Sequence, residues 1–314
     1  MRFSKYSFLV LIISILIISG CQNNTKSIGQ YLGGVEGIKI AFSPAAPTSS
    51  FNQGDNVPVK VVLTNFGESE VAIAKAQVKI FGIPHATFGI SDQYKPTSGV
   101  LLPKSFDRNQ GGEQTVDMGL AAYNLDVVNF EKFDFQANVC YDYYTKADIN
   151  VCITSVDIQQ STATQGCTVA SGNTVERIAK GDVSSAPVQI TSLKEDLRGS
   201  NEVLFTLLLE NKGNGKIYKI ENQCSDLDKP ESLDLVDMVK LDVPTTFSCA
   251  LIDSNSNSGY IRLTGGKATV NCRRVVTEAN SFTEKFKATL SYKYISTTSK
   301  TITIYSPSTA SKSS

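Results

Sequence analysis

The chain has 314 residues, with 30 basic and 30 acidic side chains and a single histidine. This charge balance argues against a nucleic-acid-binding protein, which usually carries a basic excess on one face, and one histidine leaves little material for Ser-His-Asp or Cys-His catalysis. Hydrophobic residues make up 41% of the chain, as in folded globular proteins, and the length suits two ordinary domains.

The start of the chain has the features of a lipoprotein signal. Two basic residues precede an apolar run over residues 8–18, which fits a signal h-region and is too short to span a bilayer. Ile18-Ser19-Gly20-Cys21 then matches a lipobox, in which a peptidase cuts before the cysteine and a lipid is attached to its sulfur. We predict a signal peptide over 1–20, a lipidated Cys21 that binds membrane lipid, and a location on the extracytoplasmic face of the membrane. The alternatives are a plain secretory signal and an uncleaved membrane helix.

Residues 21–34 are rich in Asn, Ser, Thr, Gln and Gly, and they predict a flexible tether. Beyond it, β-branched and aromatic residues fall in short alternating runs that predict strands, and segments with helical periodicity are rare. We therefore predict an all-β chain. Its segments are a first β domain over 35–157, a linker over 158–184, a second β domain over 185–306 and a disordered tail over 307–314.

The second half of the chain repeats the first. Alternating apolar positions lead into an Asn-x-Gly turn signal in Val59-x-Val61-x-Leu63-x-Asn65-x-Gly67 and again in Phe205-x-Leu207-x-Leu209-x-Asn211-x-Gly213. A tyrosine pair near the end of each half also recurs, as Tyr141-x-Tyr143 and Tyr292-x-Tyr294. The repeat predicts two domains with the same packing.

Residues 132–155 alternate apolar and polar side chains, and they predict a closing hairpin of two antiparallel strands folded about Lys146. In that register Tyr143 faces Ile149 on the buried side, and Cys140 lies opposite Cys152 on the outer side, within disulfide distance. The matching pattern near Tyr292 predicts a second closing hairpin.

Seven cysteines are present, and six remain once Cys21 is assigned to the lipobox. They lack the C-x-x-C spacing of a zinc site, and an exported chain with six spaced cysteines predicts three disulfides. The hairpin register predicts Cys140–Cys152. Position in a strand meander suggests Cys249–Cys272, and elimination leaves Cys167–Cys224, although six cysteines allow 15 pairings.

The strand ending in Asn-x-Gly and the tyrosine-rich closing pattern resemble those of tandem Ig-like antiparallel β-sandwiches, in particular the cell-adhesion-related (CARDB-like) domains of prokaryotic surface proteins. The chain also resembles archaeal surface lipoproteins that open with a G-x-E-G-[IL] strand and a proline-rich turn, here Gly34-Val35-Glu36-Gly37-Ile38 followed by Pro44 and Pro47. The resemblance implies a fold and a surface setting, and it carries no functional residues.

Weak matches to chemical motifs do not support a catalytic, cofactor or metal site. His85 lies in a predicted loop without a nucleophile motif, and Gly265-Gly266-Lys267 lacks the spacing of a phosphate loop. The segment over 253–257 has one carboxylate where a calcium loop needs several. Residues 231–243 alternate and predict a strand or a sheet edge.

These observations favour a non-enzymatic surface protein with a structural, adhesive or protein-interaction role. The second hypothesis is a ligand- or polymer-binding subunit of an envelope transport or secretion system, and an envelope hydrolase is disfavoured. We expect an envelope protein or a polysaccharide as partner, no nucleic acid and no cofactor. Exposed strand edges or apolar loop tips would favour adhesion, whereas a deep cleft between the domains would favour ligand binding.

Overall fold

The computed structural model describes residues 29–160, 166–169, 175–227, 229 and 234–307. The predicted signal peptide, Cys21, the first part of the tether and residues 308–314 lie outside the described residues. None of the helices in these ranges is long and apolar enough to cross a membrane.

The chain is all-β, as predicted, and loops connect its strands. The first half contains β1 (Ile38–Phe42), β2 (Ser50–Asn52), β3 (Val57–Asn65), β4 (Ala76–Phe81), the one-turn helix α1 (His85–Phe88), β5 (Lys95–Pro96), β6 (Glu113–Ala121) and β7 (Phe130–Ile153). The helix α2 (Val156–Gln160) spans the predicted boundary between the first domain and the linker, and the linker also contains β8 (Val175–Glu176).

The second half contains more strands than the first. It contains β9 (Val188–Arg198), β10 (Glu202–Asn211), β11 (Lys216–Tyr218), a 3-10 turn (Cys224–Asp226), β12 (Met238–Asp242), β13 (Ser248–Ala250), β14 (Asn255–Ser256), β15 (Ser258–Arg262), β16 (Lys267–Val275) and β17 (Phe282–Tyr305). Both repeated Asn-x-Gly segments lie at strand ends, where β3 and β10 finish.

Three sheets form among the described residues. A central sheet has the order β15-β12-β17-β7-β4-β5, with β2 and β11 joined to the side of β17. Two smaller sheets, β1-β3-β6 from the first half and β14-β13-β16-β10-β9-β8 centred on the second half, pack on its inner face. The result is two β-sandwiches that lie side by side and share one wall.

The predicted closing hairpins are wrong. β7 and β17 are each a single strand of 24 residues, and they pair antiparallel with each other along their whole length. A period of two fits one long strand as well as two short ones, and residues 144–148 contain no Gly, Asn or Pro to make a tight turn. Residues of β7 with odd numbers from Phe135 to Ile153 are therefore all buried on the same face.

The long strands relate the two halves by a pseudo-twofold axis. Tyr141 lies opposite Tyr294, and Tyr143 lies opposite Tyr292, so each tyrosine of one repeat meets the non-equivalent tyrosine of the other. Asp142 and Lys293 occupy equivalent repeat positions and face each other at the centre. Each long strand thus begins in one sandwich and ends in the other, and one continuous hydrophobic core joins the halves.

The four central tyrosines hold the small sheets against the central sheet. Tyr143 donates its hydroxyl to Asn65 Oδ1 (3.0 Å), and Tyr294 makes the equivalent bond to Asn211 Oδ1 (3.1 Å). Ile38 N donates to the Tyr141 hydroxyl (3.2 Å), as Val188 N does to Tyr292 (3.3 Å). The repeated Asn, buried at position 65 and half-buried at position 211, is therefore a hydrogen-bond partner for tyrosine as well as a turn residue.

Three disulfides form, and one of the predicted pairings is confirmed. Cys249 and Cys272 lie directly opposite each other on β13 and β16 and are bonded. The other two bonds are Cys140–Cys224 and Cys152–Cys167, so the predicted Cys140–Cys152 and Cys167–Cys224 pairs are wrong. Cys140 and Cys152 are twelve residues apart on one extended strand, about 40 Å at 3.3 Å per residue, far beyond disulfide reach.

Candidate functional site

Two surface features stand out on or beside the outer face of the central sheet. The first is a groove of about 600 Å³ over the middle of the paired strands β7 and β17, which we call the central groove. Both halves line it: Lys75, Gln77 and Tyr144 come from the first, and residues 220–224, Lys240 and Lys293 come from the second.

The floor of the central groove is a buried ion pair on the pseudo-twofold axis. Lys293 and Asp142 are 6% and 8% exposed, and the Lys293 ammonium contacts Asp142 Oδ1. The more exposed Lys75 lies 3.4 Å from Asp142 Oδ2, so one carboxylate serves two ammonium groups. Burial raises the pKa of the neighbouring Tyr144, and the negative charge of Asp142 raises it further.

The walls of the central groove are held in place from both sides. The Cys140–Cys224 disulfide ties the segment over 220–224 down to β7. On the other wall Ala74 has a φ of 61°, a left-handed conformation that non-glycine residues rarely adopt. At the rim, Glu221 accepts a hydrogen bond from the Tyr260 hydroxyl, and the Lys219 ammonium lies 4.5 Å from the centre of the Tyr260 ring.

The second feature is an exposed apolar cluster at one end of the central sheet, which we call the apolar end. It consists of Leu125, Val128, Phe130 and Tyr305, which are between 41% and 83% exposed. The rings of Phe130 and Tyr305 are 6.3 Å apart, where β7 begins and β17 ends. Ser306 N donates to Asn129 O (2.9 Å), which joins the loop to the end of β17.

Polar side chains surround the apolar end. Asp126 accepts from Gln53 Nε2 (3.2 Å), and Glu131 accepts from the Tyr123 hydroxyl (2.8 Å). The Lys132 ammonium lies 5.9 Å from the centre of the Phe130 ring. An apolar centre that contains aromatic residues and has a polar rim is typical of a protein interface.

The first described residues, from Gly29 on, lie on the side of the molecule opposite to the central groove. Leu32 N and Gly33 N donate to the Glu68 carboxylate at 2.8 and 2.9 Å, and Ser185 N donates to it at 2.7 Å. These residues lie above the inner face, between the two small sheets and next to the buried Tyr143 hydroxyl. The central groove therefore lies on the face turned away from the chain entry.

The structure also places the weak sequence candidates. His85 is half-buried on α1, and Gly265-Gly266 forms the turn between β15 and β16, with Thr264 N donating to Lys267 O (2.8 Å). Asp253 lies in the turn between β13 and β14, and no group of three His, Cys, Asp or Glu side chains in the described ranges is placed to hold a metal.

The alternating segment over 231–243 is only partly described. Its strand portion is confirmed as β12, but the expected sheet edge is wrong, because β12 pairs with β15 on one side and β17 on the other. The true edge is β15, which protects β12 from outside contact.

No protein-family model and no curated protein matches the chain. Among solved structures, the crystal structure of collagen adhesin (CNA) from S. aureus is a match at 8% identity that covers 89% of this chain and 96% of that chain, with a TM-score of 0.11. A TM-score at this level carries no argument, so any functional assignment rests on the surfaces described above.

Proposed function

We propose that this protein is a lipid-anchored, non-enzymatic protein of the extracytoplasmic surface, and that its apolar end binds a partner protein of the envelope in an adhesive or structural role. The disulfides support the compartment, because such bonds persist in oxidising environments and are rare in the cytosol. The lipobox at Cys21 supports the anchor.

The proposed interaction role rests on the exposed apolar end. Val128 is 83% exposed, and Leu125 and Phe130 are each 54% exposed on adjoining chain. Aromatic residues in the centre of a patch with a polar rim are typical of the residues that dominate binding energy in protein interfaces. The acidic surround, from Asp126 and Glu131, favours a partner with a basic rim and disfavours an anionic membrane surface.

The second candidate function is the binding of a soluble ligand or polymer. That hypothesis expected a deep cleft between two domains, but a continuous core and a shared sheet fill this space. The central groove still supports ligand binding, since its volume of about 600 Å³ falls within the range of ligand pockets, about 300–1,000 Å³.

The anchor is tested by mass spectrometry of the mature protein from membranes. We expect its N-terminal tryptic peptide to begin at Cys21 and to carry the mass of attached lipid, since the lipobox directs cleavage before this residue. Cys21→Ser should remove the lipid mass and release the protein from washed membranes, whereas Ser19→Ala, which keeps a small residue, should behave as wild type. A peptide that begins at Cys21 without lipid would contradict the anchor.

The interaction is tested by placing a photo-activated cross-linking amino acid at Val128 in cells that produce the full chain. We expect one discrete protein adduct, and Phe130→Asp should reduce its yield about tenfold or more, because losing a central aromatic contact costs about 2 kcal/mol. The matched control places the cross-linker at the exposed Lys287, on the same outer face. Equal adducts from both positions, or none from Val128, would contradict a specific interface.

A further inference from the structure

We propose that the central groove binds acidic saccharide units, that is, sugar rings carrying a carboxylate or phosphate group. The inference rests on the second candidate function, for which it names the class of ligand, and it is independent of the protein contact at the apolar end. It rests on the charge, the polar groups, the aromatic surface and the rigidity of the groove.

The charge of the groove is positive on balance, since Lys75, Lys240 and Lys293 outnumber Asp142 and Glu221, and Glu221 lies at the rim, where it accepts a hydrogen bond from the Tyr260 hydroxyl. Asp142 lies at the floor, is 8% exposed and is shared by Lys293 and Lys75. The Lys240 ammonium lies 4.0 Å from Asp242 Oδ1, at the limit of an ion pair. Because Asp142 is already paired with the buried Lys293, the ammonium groups of the exposed Lys75 and the half-buried Lys240 are placed to receive an anionic group from a ligand.

The remaining polar groups suit hydroxyl-rich rings. Gln77, Asn222, Gln223 and Ser291 line the same groove. Amide and hydroxyl side chains both donate and accept hydrogen bonds, and so do sugar hydroxyls, whereas a ligand bound by charge alone would need none of them.

The central groove also offers an aromatic surface to a sugar ring. Tyr144 lines the groove beside the ion pair and is 36% exposed. A tyrosine ring offers an apolar face with a polar tip, which matches the mixed C–H and hydroxyl surface of a pyranose ring. Exposed lysines alone would attract many anions, so the tyrosine and the amides are what favour a saccharide.

The groove is also held in shape before any ligand arrives. The Cys140–Cys224 bond fixes one wall, and the left-handed Ala74 shapes the other. Strained backbone held by its surroundings is typical of binding sites, and a fixed wall lowers the entropy that ligand binding would cost. The groove lies open on the outer face, so the units of a longer polymer are able to enter it.

The test measures binding of the purified full-length protein to a panel of glycans. The acidic members are oligogalacturonate, hyaluronan fragments and phosphorylated oligomannose; cellodextrin and oligomannose supply neutral rings, and polyglutamate supplies charge without sugar. We expect at least one acidic glycan to bind, with its neutral counterpart and polyglutamate about tenfold weaker or worse, since a charge-assisted hydrogen bond contributes about 1.5–3 kcal/mol.

Variants then locate the site. Lys75→Ala and Tyr144→Ala should each weaken binding of that glycan about tenfold. Lys287→Ala, on the outer face of β17 away from the groove, and Tyr305→Ala, at the apolar end, should leave it unchanged. Thermal unfolding of each variant checks that the fold is intact.

Three outcomes would overturn the inference: no acidic glycan binds, polyglutamate binds as tightly as the best glycan, or Lys287→Ala weakens binding as much as Lys75→Ala. Phe130→Asp separates this inference from the proposed function, because it should reduce cross-linking at the apolar end and leave glycan binding intact.

Discussion

Asp142→Asn should lower the free energy of unfolding by about 3–5 kcal/mol, because it leaves the buried Lys293 ammonium without a carboxylate partner. Asparagine keeps the size of the side chain but removes its charge, so the change tests the ion pair and not the packing. The measurement is urea unfolding of the oxidised protein, followed by far-ultraviolet circular dichroism.

Two companion variants make the result specific to the buried pair. Asp226→Asn breaks the Asp226–Lys229 pair, whose side chains are 41% and 60% exposed, and it should cost less than about 1 kcal/mol. Asp142→Asn combined with Lys293→Met removes the stranded charge as well, and it should recover most of the lost stability. If Asp142→Asn costs no more than Asp226→Asn, the central pair does not stabilise the junction of the two halves.

The sequence was sufficient to predict which side chains face inward. Alternation in Val59-x-Val61-x-Leu63 and Phe205-x-Leu207-x-Leu209 predicts strands with one buried face, and all six of these side chains are fully buried. The same period-two rule places Cys140 on the face opposite Tyr141 and Tyr143, as the structure has it. Facing is a local property of an extended chain, so a local pattern determines it.

The choice of partner strand could not be predicted in this way. Alternation around Lys146 satisfies a hairpin and a continuous strand equally, and the partner of Tyr143 is Tyr292, 149 positions along the chain. One available signal was the lack of Gly, Asn and Pro over 144–148, which argues against a tight hairpin turn there. The two wrong disulfide pairings follow from this one error in register.

The repeat also contained a landmark that we did not identify from the sequence. Ile83-Pro84 leads to Phe88 in the first half, and Val243-Pro244 leads to Phe247 in the second. Each phenylalanine is buried, Phe88 against Phe135 and Phe247 against Phe205. A proline followed by an aromatic residue three or four positions later is a local signal for a chain that leaves a strand and turns back into the core.

The surfaces proposed to bind partners have no comparable local signal. The central groove brings Lys75 and Tyr144 next to Lys240, which are far apart in the sequence and on three different segments. The apolar end exists because Phe130 and Tyr305 terminate paired strands. Both surfaces result from the antiparallel pairing of the long strands, and so they could be recognised only after that pairing was known.

Gly67→Ala should destabilise the protein by about 3 kcal/mol, at the upper end of the cost of overpacking, because the position has no room for a side chain. A Cβ atom there would overlap the Tyr143 hydroxyl and stand 2.6 Å from Glu36 O and 2.8 Å from Ser185 O, where the two small sheets meet the central one. Gly54→Ala is the control: its Cβ would meet no atom within 4 Å, so only its φ of 85° is strained, at a cost of about 1–2 kcal/mol. Combining Gly67→Ala with Tyr143→Phe removes the overlapping oxygen and should recover part of the loss in urea unfolding. Equal costs for Gly67→Ala and Gly54→Ala would show that the tyrosine cluster tolerates displacement, and that the junction of the halves is not the closely packed centre described here.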